Sequence, residues 1–171
     1  VVVTQHLFLY SWLVYQYKNR VETRFILHDN TAKEVDDFYT YYNLNVAGGT
    51  NVYPAYELVN QIVHDEQLER DNNIYIFHGT DGDDWETSGE KAIAEIKKML
   101  TYVNRFAITV ARNSWSGTAK SAVETYIERS NLLKEKADLM RMDTMTAEEA
   151  DERRIINSIK KLIEENGQVV S

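Results

Sequence analysis

Ile74-Tyr75-Ile76-Phe77-His78-Gly79 and Phe106-Ala107-Ile108-Thr109-Val110-Ala111 decide the fold. Each is a short, nearly continuous apolar run, which is how a strand buried on both faces reads. Gly79 is expected to close the first of them. Between the two, residues 88–103 place Ile93, Ile96, Met99, Leu100 and Val103 at helical spacing. Residues 51–67 do the same with Val52, Ala55, Tyr56, Val59, Ile62 and Val63, and Pro54 falls in the first turn, where proline is tolerated. Further upstream, residues 21–28 alternate, with Val21, Thr23, Phe25 and Leu27 on one face and Glu22 and Arg24 opposite. Strand, helix, strand, helix and strand in succession predict an α/β fold, a doubly wound and mostly parallel sheet covered on both sides.

The flanks are read outward from that centre. Residues 4–18 form a helix apolar almost all round, a pattern expected of a helix buried on more than one side. Asp29-Asn30 makes a turn, residues 32–36 a short edge strand, and the tyrosine-rich residues 37–47 a loop. From Thr118 the pattern predicts two helices. The first is charged and amphipathic to about Met140; the second opens at Thr146, with Glu149 three residues on as a capping box. Its stripe is Ile155, Ile156, Ile159, Leu162 and Ile163, and Gly167 is its stop. The chain thus divides into an α/β domain over residues 1–117 and a helical C-terminal extension over 118–171, packed on the same domain.

Composition narrows the function. The 171 residues are 43% hydrophobic and 27% charged, enough to fill a core, and the net charge of −8 argues against a nucleic-acid partner. There is no cysteine, so thiolate metal sites and thiol nucleophiles are excluded, and a cytoplasmic location is expected. The most apolar run, residues 6–15, is about half the roughly 20 residues a membrane span needs, so no membrane partner is expected.

Ligands of doubly wound sheets bind beyond the carboxyl ends of the strands. Two sequences fall there: Gly48-Gly49-Thr50, entering the helix at Asn51, and Thr80-Asp81-Gly82-Asp83-Asp84-Trp85. Hydroxyl and carboxylate oxygens suit a hard cation such as Mg²⁺. Three aspartates within four residues also repel, by about 1 kcal/mol per pair 4 Å apart in water and about 4 at an effective dielectric of 20. An acidic turn, with the Thr50 hydroxyl capping a helix, accounts for the same residues equally well. An EF-hand loop counted from Asp81 would need Gly where Glu86 stands, and no Gly-rich phosphate loop or nucleophile elbow occurs. His28 and His78 end strands on the same rim, as ligands, pH-sensitive contacts or ordinary hydrogen-bonded residues. Trp85 and Trp115 follow strand ends there and are expected to pack. Residues 148–154 read as a solvated helix face.

Read together, the two rim sequences resemble the von Willebrand factor A-like (vWA) family that includes the bacterial YeaH and YhbH proteins. Its members carry G-G-T before a helix, then an apolar strand, then S-D-G-D-N-W. The strand Phe25-Ile26-Leu27-His28 and the stretch Ala32-Lys33-Glu34-Val35-Asp36 are similar too, and the likeness covers roughly residues 1–115. Asp84 stands where the family usually has Asn. The resemblance implies a metal-ion-dependent adhesion site, with metal residues Thr50, Asp81 and Asp83 holding Mg²⁺ or another divalent cation. The D-x-S-x-S motif that would complete it is absent from the sequence and is expected immediately upstream. Weak or no Mg²⁺ affinity is therefore expected of these residues alone. The resemblance further implies a non-enzymatic protein–protein interaction domain, linked to stress response and sporulation, with a serine protein kinase as a partner. Homo-oligomers are possible. The alternative class is an enzyme, a Mg²⁺-dependent phosphoryl-transfer or hydrolytic domain using Asp81 and Asp83. It lacks a basic phosphate clamp, since between Gly48 and Gly89 the only Lys or Arg is Arg70. In a vWA sheet one more strand would separate residues 21–28 from 74–77; without it either these two strands pair directly, the favoured expectation, or another segment, from this or a second chain, fills the gap.

Overall fold

The computed structural model describes residues 1–44, 51–112 and 119–164. In chain order the elements are α1 (Val2–Tyr17), β1 (Phe25–His28), β2 (Ala32–Val35), α2 (Phe38–Asn43), α3 (Tyr53–Asp65), β3 (Tyr75–Thr80), α4 (Glu90–Met99), β4 (Arg105–Arg112), α5 (Ala122–Arg129), α6 (Leu132–Glu135), β5 (Met140–Thr146) and α7 (Glu152–Ile163). The protein is mixed α/β, built on a parallel three-stranded sheet of order β3-β4-β5 with helices around it.

β4 runs down the middle of that sheet. Its residues Arg105 to Val110 are all buried, as the apolar run required. The core gathers Phe106, Ile108 and Val110 of β4 with Val52 and Tyr56 of α3, Ile96 and Met99 of α4, and Val123, Tyr126 and Ile127 of α5. α3 keeps Pro54 in its first turn, where a missing amide proton costs nothing. α4 directs Ala92, Ile96 and Met99 inward at a spacing of three and four.

Several expectations need correction. The C-terminal segment is not wholly helical: β5 lies in it and pairs in parallel with β4 from Phe106↔Met140 to Arg112↔Thr146. Met140-Arg141-Met142-Asp143-Thr144-Met145-Thr146 has no β-branched apolar run, and its buried Asp143 is neutralised only by distant residues of α7. Thr146 and Glu149 do exchange the two capping-box bonds, but across a turn; α7 starts at Glu152, capped by Asp151 through the Arg154 amide. Residues 37–47 were expected as a loop, yet Asp37 accepts the Thr40 amide at 2.6 Å and caps the short helix α2. Strand β1 occupies only the second half of residues 21–28. β3 runs past Gly79 to Thr80, and Tyr75 is exposed, so this strand is not buried throughout. α1 buries only Gln5 and Leu9 fully, not several sides.

The expected direct pairing of the first and third strands is also not formed. β1 pairs with β2 in an antiparallel ladder of its own, and β3 hydrogen-bonds to β4. The doubly wound single sheet is therefore two sheets among the described residues. Val2 of α1 closes over β3 at Gly79, where an added Cβ would stand 2.1 Å from the Val2 side chain. Of the α7 stripe, Ile155 and Leu162 are buried and Ile156 is exposed. Gly167 lies outside the described residues.

Candidate functional site

The carboxyl end of β3 delivers the chain into the turn at residues 80–85. The Thr80 hydroxyl oxygen accepts the Gly82 amide at 3.0 Å, and Asp81 Oδ1 accepts the Asp83 amide at 3.1 Å. Gly82 has φ +94, a left-handed conformation natural to glycine, and its carbonyl accepts the Val123 amide at 3.0 Å. An added Cβ at Gly82 would come within 2.4 Å of the Ser121 hydroxyl, so α5 holds the turn from below.

This anchoring sorts the aspartates. Asp81 and Asp83 are exposed, whereas Gly82 and Asp84 between and after them are buried. Asp84 Oδ2 accepts the Tyr126 hydroxyl at 3.0 Å and Oδ1 accepts the Glu86 amide at 3.1 Å. Burial pushes the Asp84 carboxyl up, and those hydrogen bonds only partly offset it. Asp84 is thus the turn's anchor, and Asp81 and Asp83 present carboxylate to solvent. Trp85 is exposed rather than packed. Thr50 and Trp115 lie outside the described residues.

His28 ends β1, whereas His78 is buried inside β3 rather than at its end, and the two rings meet. His28 Nε2 and His78 Nε2 are 3.1 Å apart, and His78 Nδ1 is 2.8 Å from the Tyr56 hydroxyl. Desolvation lowers the pKa of both, and His28 and His6 press His78 down further. Two neutral rings sharing one hydrogen bond need complementary tautomers, one donating and one accepting.

Beyond β4 lies a network the sequence reading missed. Arg112 pairs through two guanidinium nitrogens with Glu124, which also accepts from the Ser121 hydroxyl at 2.9 Å and the Thr144 hydroxyl at 3.2 Å. Burial pushes Glu124 up, yet the Arg112 and Ser121 hydrogen bonds outweigh it and hold the carboxyl below its ordinary range. The signal was present: Ser121 and Glu124 form a capping box, S-x-x-E before an apolar helix face. Residues 148–154 are mostly solvated, but Arg154 turns inward to Asp143 at 2.7 Å.

Among the described residues, no three His, Asp or Glu side chains converge closely enough to hold a metal ion. Asp81 and Asp83 alone leave most positions of an octahedral cation to water. A cavity of about 10 Å³ under the sheet, lined by Gln5, His6, Leu9, His78, Thr109 and Leu162, has room for one water at most. No helix among the described residues is long and apolar enough to cross a membrane.

A small mixed α/β fold with an acidic turn at the end of a parallel strand is the class these features define. The sequence profile of the family described as a protein of unknown function (DUF444) matches residues 3–166, and the chain belongs to that family. A UPF0229 protein of Ruminiclostridium cellulolyticum is 35% identical over 98 residues, covering 57% of this chain and 24% of the relative. A UPF0229 protein of Clostridium perfringens is 28% identical over 152 residues, covering 85% of this chain and 38% of the relative. The chain therefore spans 24% and 38% of the length of these relatives. No solved structure matches.

Proposed function

We propose that this chain is a vWA-like protein-interaction module whose contact rim is the turn at residues 80–85, with Asp81 and Asp83 offering carboxylate oxygens to a weakly held divalent cation. Thr50 is the third protein donor in this reading. One observation carries the reading: the turn spends Asp84 on anchoring and leaves Asp81 and Asp83 exposed at the carboxyl edge of a parallel strand. Exposed Trp85 beside them supplies the kind of aromatic contact that interfaces favour. In the longer protein the partner is a serine protein kinase, and the module acts as its adaptor in stress response or sporulation.

The phosphoryl-transfer alternative needs a cation poised over a phosphate. Arg112 is engaged by Glu124, Lys120 by Glu128 and Lys98 by Glu95, which leaves fewer cations to clamp a phosphate. The two readings part in one preparation, assayed for phosphate-ester turnover with Mg²⁺ and for retention of a purified serine protein kinase. The adaptor reading expects no turnover and retention that Asp81→Ala weakens. Turnover abolished by Asp81→Ala would replace it with the enzyme.

A further inference from the structure

His28 and His78 meet across a seam. The main core is gathered from Val52 onward and draws nothing from residues 1–44. Those residues build a layer of their own, in which the rings of Tyr10, Phe25, Phe38 and Tyr41 pack together. β1 and β2 form one ladder and β3, β4 and β5 another, with no ladder between the two among the described residues. Side chains therefore tie the layer to the core. Gln5 donates to the Ser158 hydroxyl at 2.9 Å, Arg24 pairs with Glu66, and His28 meets His78 at 3.1 Å. The last tie has no spare lone pair. With the Tyr56 hydroxyl donating to His78 Nδ1 at 2.8 Å, His78 Nε2 donates to His28 Nε2. One added proton is accommodated only if the Tyr56 hydroxyl turns to accept; a second sets N–H against N–H across 3.1 Å.

We propose that His6, His28 and His78 form a proton-operated clasp, closed while the rings are neutral and releasing residues 1–44 from the parallel sheet when they take up protons. The surroundings offer little to neutralise those protons. The small cavity against His78 is walled by Gln5 and His6 of α1, Thr109 of β4 and Ile159 and Leu162 of α7, none of them acidic. His6 faces the Tyr41 hydroxyl at 2.6 Å. Asp29, Asp81 and Asp84 act on His28 through space, yet among the described residues no carboxylate hydrogen-bonds to either ring of the pair. Burial lowers the pKa of all three histidines, so each binds its proton more tightly once released, and acid favours the open form. The core can persist without the layer, because it takes no side chain from it. Release uncovers His78 and Gly79, directly before the rim turn at residues 80–85.

Acid titration of the 171-residue chain, followed through assigned amide resonances, tests this. The clasp expects two transitions below pH 6.5. Residues 1–44 should lose their dispersed shifts first, and β4 and β5 should lose theirs at least about one pH unit lower. His78→Gln should move the first transition down by about half a unit or more and leave the second in place, since His78 no longer bridges the seam once it is open. Nitrogen-15 shifts of the wild-type imidazole rings at pH 7.5 should show His6, His28 and His78 all neutral, a readout that stands even if the variant fails to fold. Coincident loss of both sets of resonances would overturn the proposal, because the whole fold would then yield at once. So would a first transition unmoved by His78→Gln, or a charged ring among the three at pH 7.5.

Discussion

Asp143 is the point at which the unforeseen strand β5 is tied to α7, and replacing it by Asn measures that tie. The carboxylate is only 4% exposed and accepts from Arg154 Nη1 at 2.7 Å and from Lys161 Nζ at 2.6 Å. Burial alone would push its pKa up. The Arg154, Lys161 and Ser158 hydrogen bonds and the Lys161 charge outweigh burial and hold the group at about 2, against an ordinary 3.8. A folded-state pKa below the unfolded one adds stability that is fully present above 3.8 and is lost as pH falls toward about 2. At about 1.4 kcal/mol per unit that depression is worth roughly 2.5 kcal/mol as an upper bound. Lys161 is 61% exposed, and solvent screening of its share reduces the figure to about 1–2 kcal/mol. Urea unfolding of Asp143→Asn should therefore show a loss of about that size at neutral pH. The gap to wild type should close as the pH is lowered through the 3.8-to-2 window. An Asn variant as stable as wild type at neutral pH would refute the reasoning. A gap that stays constant into acid would refute it too.

Other expectations follow from the same packing. Gly82→Ala combines a left-handed φ of +94 with a Cβ 2.4 Å from the Ser121 hydroxyl, and should cost about 1–3 kcal/mol by thermal unfolding. Tyr126→Phe removes the hydroxyl that satisfies buried Asp84 and should cost about 1–3 kcal/mol, read by urea denaturation. His78 is buried neutral with its pKa well below 6.5, so the unfolded chain binds its proton first and stability should fall as pH drops below 6.5. His78→Gln should reduce the slope there, and buried His6 and His28, whose pKa values are lowered too, should keep the remainder.

Sequence periodicity located α3, α4, β3 and β4 because each buries an apolar face that the pattern displays directly. β5 was invisible for the opposite reason. Its methionines do not alternate, Asp143 and Met145 falling on one face, and the charge on Asp143 is made tolerable by Arg154, Ser158 and Lys161, many residues away. Helix α2 was hidden in a tyrosine-rich stretch; Phe38 packs on Tyr10 and Phe25 and Tyr41 packs on Phe25, a tertiary reason for a weak helix former to be helical. At the rim, motif spacing put Asp81 and Asp83 at the end of β3, and they are exposed there. It could not rank Asp84 above them as the anchor, because Tyr126 lies 42 residues downstream. α1 differs from its expected burial because an all-round apolar pattern says which residues are apolar, not which of them are covered.

The account's central claim is that Asp81 and Asp83 are exposed on a rim able to hold a cation only weakly by themselves. Titrating Mg²⁺ into the chain while following backbone amide resonances tests it most directly. The prediction is saturation only at millimolar Mg²⁺, with shifts concentrated in residues 80–85 and removed by Asp81→Ala. Micromolar affinity, or shifts that survive Asp81→Ala, would contradict the account.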